Sequence, residues 1–268
     1  MTMILGIIAG GGSFPSIVAQ NAQKQGIPII GVGFPGDTDP AFAKNCTTFT
    51  WLKLGQLGRL LKFFGQHQVT HVVMAGPINK PKALDLRPDW RAARLLFRLK
   101  TKGDDTLLRA VGEELEQEGI KLIGPHQFCP DLCAPPGILT QRRPTQQELH
   151  DITLGWTMAE HLAPFDIGQC LVLREGIVLA VEAIEGTDAA IRRAGTLGGA
   201  GAVVVKRPKL TQDTRLDLPA IGPETIRSMI FAQATCLALE AKTTLIFDLD
   251  ETIALANSHL ITIESRLK

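Results

Sequence analysis

Four short apolar runs, MILGIIA, IPIIGV, HVVMAG and IKLIG, punctuate the first half of the chain. The segments between them carry helical patterns, over about Ser16 to Gln25, Gly55 to His67 and Asp104 to Gln117, the last closed by Gly119. Strand-length apolar runs separated by helices read as βαβ units, and such strands, covered on both faces, pair in parallel. The stretch from Pro88 to Lys102 is basic and amphipathic. Between Cys129 and Pro144 the text becomes CPDLCAPPGILTQRRP, proline-rich and aperiodic, which suits a connection between domains. Beyond it the spacing predicts a helix (Gln146 to Leu162), a hairpin made by GQCLVLR and IVLAVEAI around Glu175-Gly176, a helix (Thr187 to Gly195) and a strand (GAVVVKR). A long loop (Pro208 to Gly222), a helix (Pro223 to Leu239) and the strand TLIFD follow. The expected architecture is therefore α/β in two domains. Residues 1–135 form an N-terminal Rossmann-like parallel sheet, and residues 136–268 a smaller C-terminal mixed α/β domain, with a ligand cleft between them.

A chain of 268 residues is long enough to bury two such cores. Its net charge of +1 gives no electrostatic case for a nucleic-acid partner. No apolar run reaches the ~20 residues of a membrane-spanning helix, and MTMILGII breaks at Gly10-Gly11-Gly12 without a basic region before it, so a cytoplasmic protein is expected. Five scattered cysteines are poor material for a disulfide framework. His126, Cys129 and Cys133 in HQFCPDLC lack the second ligand pair that a zinc site needs.

Near the C-terminus, TTLIFDLDETIA carries Asp-x-Asp-x-Thr after an apolar run, which is how dehalogenase-type phosphatases present a nucleophilic aspartate. Too little chain follows Asp248 to build the rest of such a site. The expected reading is a late strand and a helix start with Asp250 as N-cap and an acidic first turn.

Two glycine loops invite a phosphate reading. GVGFPG at Gly31 to Gly36 matches the dinucleotide fingerprint by letter but runs into DTDP instead of opening a helix, and position 56 is Gln where an acid is wanted. IAGGGSFP follows the first strand and leads into a helix, so Gly10, Gly11, Gly12 and Ser13 could seat a phosphate, nucleotide or sugar on free backbone N–H groups. Close packing of strand on helix is the competing explanation.

Two charged clusters lack an evident structural purpose. VLAVEAIEGTDAAIRRAG sets Glu182 and Glu185 at a strand end before a helix opening at Thr187 and Asp188. VVVKRPKLTQDTRLDLPAIGPETI brings Lys206, Arg207 and Lys209 close in sequence to Gln212, Asp213, Arg215 and Asp217. Cations for phosphate beside carboxylates for Mg²⁺ or a water are what pyrophosphate cleavage requires.

Together IAGGGSFP, LGQLGRLLKFF, VVMAGPINKP, KGDDTLLRAVGEELEQEGI, VLAVEAIEGTDAAIRRAG and the Lys206 to Ile226 block resemble the LpxI-type UDP-2,3-diacylglucosamine pyrophosphatases, in order and over almost the whole chain. The resemblance implies Mg²⁺-dependent hydrolysis of a UDP-linked diacylglucosamine to UMP and the diacylglucosamine 1-phosphate, an early step towards lipid A. It implies catalytic roles for Asp213, Asp217, Lys206 and Arg215, with Mg²⁺ on Asp213 or Asp217. Substrate binding would fall to Gly10, Gly11, Gly12, Ser13, Gly76, Asp104, Asp105, Glu182, Thr187, Asp188 and Gln212. Peripheral contact with the inner membrane and a homodimer are compatible with it. Where this chain has LIFDLDETI the family has segments of the kind LILDREETI, so the dehalogenase look of Asp248 is incidental. The family pattern also has KPGQD where this chain reads KLTQD, and a methionine at the place of Ala189; the charged residues are retained. The competing classes are a non-catalytic nucleotide- or lipid-binding protein and a dehalogenase-type phosphomonoesterase.

Overall fold

The computed structural model describes residues 2–78, 88–99, 104–165, 167–209 and 213–267, with Asp104 and Asp105 described in backbone alone. The chain divides into two compact units, residues 1–130 with 213–217, and residues 131–212 with 218–268.

In the first unit the strands are β1 (Leu5–Ala9), β2 (Ile29–Gly33), β3 (Thr48–Trp51), β4 (His71–Ala75) and β5 (Lys121–Leu122). They form one parallel sheet in the order β3-β2-β1-β4-β5, which is the doubly wound, Rossmann-like order. Every residue of β1 and β2 is buried, as strands covered on both faces must be. The helices are α1 (Phe14–Lys24), α2 (Leu57–Gln66), α3 (Trp90–Arg98) and α4 (Asp104–Gln117). Leu57, Leu60, Leu61 and Phe64 of α2 recur at helical spacing and are buried. Asp89 starts α3, accepting the Ala92 amide at 3.0 Å and the Gly58 amide at 2.7 Å, so one carboxylate caps α3 and ties it to α2.

The second unit is built on a six-stranded mixed sheet of β6 (Gly137–Ile138), β7 (Cys170–Arg174), β8 (Ile177–Val181), β9 (Val203–Lys206), β11 (Cys236–Glu240) and β13 (Thr262–Arg266), with a separate pair, β10 (Ala220–Ile221) and β12 (Leu245–Ile246). The sheet order is β6-β13-β11-β9-β7-β8; β9, β11 and β13 run parallel, and β7, β8 and β6 join antiparallel. Helices α5 (Gln146–Leu162), α6 (Thr187–Gly198), α7 (Pro223–Phe231) and α8 (Leu249–Ser258) complete it. The β7–β8 hairpin turns at Glu175 and Gly176, both at positive φ, and the buried Asp151 of α5 accepts their two amides at 2.8 and 2.7 Å.

Several expectations need correction. The helix expected over Pro223 to Leu239 ends at Phe231, and CLALE, good helix formers in four of its five residues, is the fully buried β11 between β9 and β13. Burial in a central strand outweighs intrinsic preference there. TFTW (β3) and TIESR (β13) are strands that the spacing did not suggest. The proline-rich stretch does carry the chain from the first unit into the second, and past that point Ala134 donates to the Thr244 carbonyl and β6 pairs with β13.

Arg142 closes that connection. It reaches the Glu148 carboxylate at 2.9 and 3.0 Å and Thr262 Oγ1 at 2.7 Å, while Thr235 Oγ1 donates to Glu148 at 2.5 Å. Glu148 is also the third residue of a capping box with Thr145. Burial pushes the Glu148 carboxyl up, but the bonds from Arg142, Thr235 and the Thr145 amide outweigh it and hold it below the usual range. Removing one partner of a buried ion pair leaves the other uncompensated, so Glu148→Ala should lower the unfolding free energy by about 3 kcal/mol. A depressed folded pKa contributes stability above the unfolded pKa, and that stability is lost as pH falls through the folded value. The difference between the parent and Glu148→Gln in denaturant titrations should accordingly shrink in acid; a constant difference would show that the ion pair contributes nothing.

Candidate active site

Parallel sheets of this order bind ligands outside the carboxyl ends of their strands, where the strand order reverses. That place lies between β1 and β4, where Ala9 is in register with Ala75. The loops leaving those strands, Gly10 to Ser13 and Gly76-Pro77, bond directly to each other. Gly10 N–H donates to the Ala75 carbonyl at 2.7 Å and Gly11 N–H to the Pro77 carbonyl at 2.6 Å. A Cβ on Gly10 would collide with the Gly76 and Pro77 backbone, and one on Gly76 with the Gly11 carbonyl. The glycines at 10 and 76 therefore serve a close backbone approach, and two of the N–H groups expected to cradle a phosphate are already spent on protein carbonyls. Gly12, at φ +76° in open space, and Ser13, which starts α1 without a side-chain cap bond, are what the loop presents outward. The other loop, GVGFPG, places Gly31 and Gly33 inside β2, where side chains of Phe49 and Cys46 leave no room for a Cβ, and it leads to a 3-10 turn over Pro40–Asn45.

The segment Asp213–Asp217 belongs to the first unit, although its neighbours in sequence belong to the second. Leu216 is buried in the first unit's core cluster with Leu122, Leu115 and Ala110. The turn is closed by the Asp213 carbonyl, which accepts the Leu216 amide at 2.9 Å, and by the Asp213 side chain, which accepts the Arg215 amide at 3.0 Å. Arg215 then folds back over Asp213, with Nε 3.0 Å from Oδ1 and Nη2 2.7 Å from Oδ2, and reaches Glu116 of α4 with Nη1 at 2.9 Å. These side chains, with Arg109 and Glu113, line a shallow pocket of about 220 Å³.

Bonding to Arg215, then to its amide, with the charges of Arg215 and Arg109, holds the Asp213 carboxyl below the usual range against the effect of burial. Asp213 is thus an oriented anion. Asp217 is exposed on the same turn.

In the second unit Lys206 is buried at the carboxyl end of β9. Its Nζ donates to Thr187 Oγ1 at 2.8 Å and to the Ala220 carbonyl at 2.7 Å, and Thr187 Oγ1 donates to Glu182 Oε1 at 3.1 Å. The structure thus brings Lys206, Thr187 and Glu182 together at the start of α6, where Asp188 Oδ1 is buried without a hydrogen-bond partner. Arg207 takes another course. It is 2% exposed, pairs with Glu240 at 2.8 Å and Glu160 at 2.9 Å, and lies over the Trp156 ring, so it is a structural cation and no phosphate ligand. Asp104 and Asp105 open α4, and Gln212 lies outside the described residues.

Among the described residues no three histidine, cysteine or acidic side chains converge as a metal cage. Mg²⁺ commonly binds through one or two carboxylates and substrate phosphate oxygens, and the oriented Asp213 carboxylate fits that smaller requirement. Cys129 receives the Asn21 amide in the first unit, while Cys133 bridges to Leu245 in the second. Asp248 precedes α8 at φ +46°, in the N-cap place expected for Asp250; Asp250 and Glu251 form the acidic first turn. The strand before it, β12, has two residues and lies outside the large sheet, unlike the strand that carries a dehalogenase nucleophile.

The fold and these clusters define a two-unit α/β protein with acidic and basic side chains collected at strand ends and on one inserted turn. The family model of the LpxI N-terminal domain matches residues 4–132 and that of the LpxI C-terminal domain residues 135–264. The chain belongs to the LpxI family. It is 34% identical over 264 residues to the UDP-2,3-diacylglucosamine pyrophosphatase LpxI of Caulobacter vibrioides, covering 94% of each. Solved structures give distant likeness: WbmG of Bordetella bronchiseptica, 18% identical with a TM-score of 0.30, covers 45% of this chain and 36% of its own. The UDP-glucose-4-epimerase of Stenotrophomonas maltophila, 13% identical with a TM-score of 0.29, covers 44% and 34%. Neither bears on function.

The glycine geometry is testable by stability alone. Gly10→Ala meets backbone that cannot yield and should cost about 3 kcal/mol, whereas Gly12→Ala meets open space and only the cost of a left-handed conformation, about 1 kcal/mol. Equal costs in urea titrations would contradict the close approach.

Proposed function

We infer that this chain hydrolyses the pyrophosphate bond of UDP-2,3-diacylglucosamine, releasing UMP and 2,3-diacylglucosamine 1-phosphate. The observation that carries the reading is the end-to-end match to a pyrophosphatase of that name, and the anionic Asp213 clamped by Arg215 is the chemistry within it. A pyrophosphate repels an incoming hydroxide, so the site must supply positive charge and orient a water. Arg215 supplies charge in the first unit and Lys206 in the second. Asp213, fixed by its turn and kept ionised, would hold Mg²⁺, which when bound neutralises phosphate oxygens and lowers the pKa of a coordinated water. Asp217, exposed on the same turn, is the second candidate ligand. Glu182, Thr187 and Asp188 would contact the sugar-phosphate portion, and Gly12 and Ser13 the nucleotide. A cytoplasmic location, peripheral contact with the inner membrane that stores a diacylated substrate, and a homodimer complete the reading; among the described residues no helix is long and apolar enough to cross a membrane.

Asp213→Ala should reduce turnover by about 1000-fold with substrate binding largely kept, because it removes an interaction made in the transition state. Chelation should abolish UMP release and Mg²⁺ restore it. Hydrolysis within tenfold of the parent by both Asp213→Ala and Asp217→Ala, with unchanged stability, would place the chemistry elsewhere.

Asp248→Asn should retain at least about a tenth of the activity, where loss of a covalent nucleophile typically removes several orders of magnitude. An aspartyl-phosphate trapped at Asp248 would overturn this.

A further inference from the structure

Helix α3 buries one face and leaves an apolar stripe on the other. Ala92 and Leu95 are buried in the first unit's core, and Leu99 packs against it. Trp90 and Phe97, seven residues apart, fall about 20° from each other around the helix and point to the opposite side. Trp90 is 84% and Phe97 94% exposed. With Ala93 and Arg94 they line a shallow cavity of about 310 Å³. The packing of the helix on its core face does not account for these rings.

The surrounding charge is basic. Arg94 and Arg98 are exposed on the same side of α3. Arg91 is turned to α4, where Nε meets Glu114 at 2.7 Å and Nη1 meets Glu118 at 2.7 Å, which fixes the helix and leaves the aromatic edge outward. In sequence, residues 79–103 hold eight of the chain's 28 Lys and Arg but only two of its 27 Asp and Glu, so the near-neutral total conceals a concentrated positive segment.

We propose that the Trp90, Arg94, Phe97 and Arg98 face of α3 is a docking surface for an anionic lipid bilayer. Aromatic rings flanked by arginines on a helix lying parallel to its support are the composition of an interfacial helix: the rings enter the headgroup and acyl boundary, and the guanidinium groups meet lipid phosphates. The two rings project almost wholly into solvent and so cannot enclose a single acyl chain, but they can be inserted into many. A second copy of the chain would bring Arg94 and Arg98 of each molecule towards those of the other, which like charge disfavours. The proposal deepens the reading of a lipid-linked substrate, and its physiological sense rests on that reading, since a diacylated substrate has to be drawn from a membrane.

The test is cosedimentation of the full chain with vesicles of phosphatidylethanolamine and about 30% phosphatidylglycerol, in low and high salt, against phosphatidylcholine vesicles. The parent protein should bind the anionic vesicles, more weakly as salt rises. The double variant Trp90→Ala, Phe97→Ala should lose about tenfold or more in partitioning, and Arg94→Glu, Arg98→Glu should lose the salt-sensitive part. UMP release from substrate dispersed in detergent should be unchanged in both variants, while release from vesicle-borne substrate falls. No vesicle binding by the parent, or equal binding by the aromatic variant, overturns the proposal. So does a concentration-dependent dimer, seen by sedimentation velocity, that the aromatic variant abolishes while vesicle binding persists. Absence of hydrolysis in detergent by the parent would instead overturn the enzymatic reading and leave the vesicle result to stand by itself.

Discussion

A single leucine determines where the charged turn lies. Leu216 leaves a segment that is otherwise polar and enters the core of the first unit, and Asp213, Arg215 and Asp217 are carried with it. Burying such a side chain contributes about 2 kcal/mol. The exposed ion pairs around it contribute less: Arg215 and Glu116 are both more than 40% exposed, and pairs of that kind give about 0–1 kcal/mol. Apolar burial and the side-chain-closed turn therefore fix position, while the charges set ionisation. Arg215 has the second function, holding Asp213 as an anion in an orientation that its own backbone has already chosen.

The same division explains which parts of the molecule were legible in the sequence. The parallel sheet of the first unit announced itself because β1, β2 and β4 are apolar runs buried on both faces, and α2 because its leucines recur with helical period. The hairpin at Glu175-Gly176 was legible from turn chemistry. β11 was not, since Cys-Leu-Ala-Leu-Glu carries no local preference for a strand and becomes one only between β9 and β13. The membership of Asp213–Asp217 in the first unit was hidden for a similar reason. One leucine in a loop has no period, and its partner residues Leu122 and Ala110 lie about a hundred positions away in sequence, beyond any local pattern.

Among the charged residues, adjacency in sequence misled more than composition did. Lys206 and Arg207 stand side by side after a buried strand, and both suggest a phosphate. Successive residues of a strand point to opposite faces, so the two cations part company. Arg207 turns to α5 and is consumed by Glu160, Glu240 and the Trp156 ring, whereas Lys206 turns to α6 and meets Thr187. A buried arginine with two carboxylate partners is committed, because withdrawing it would leave those carboxylates uncompensated. Lys206 is held by a neutral hydroxyl and a backbone carbonyl, a weaker hold than a carboxylate gives.

The glycine loop completes that argument from the opposite direction. A phosphate seat made of backbone amides needs those amides to be free, yet Gly10 and Gly11 donate to Ala75 and Pro77 across the β1–β4 switch point. Glycine is required there so that two backbones can touch, a packing demand that leaves the letters of a binding motif without its hydrogen-bonding capacity. Whatever anion the loop receives must be met by Gly12 and Ser13 at the start of α1, with at most the partial charge of a helix end. Neutralising a pyrophosphate exceeds that. The balance has to come from full charges on side chains, and Arg207, given over to Glu160, Glu240 and the Trp156 ring, is not one of them.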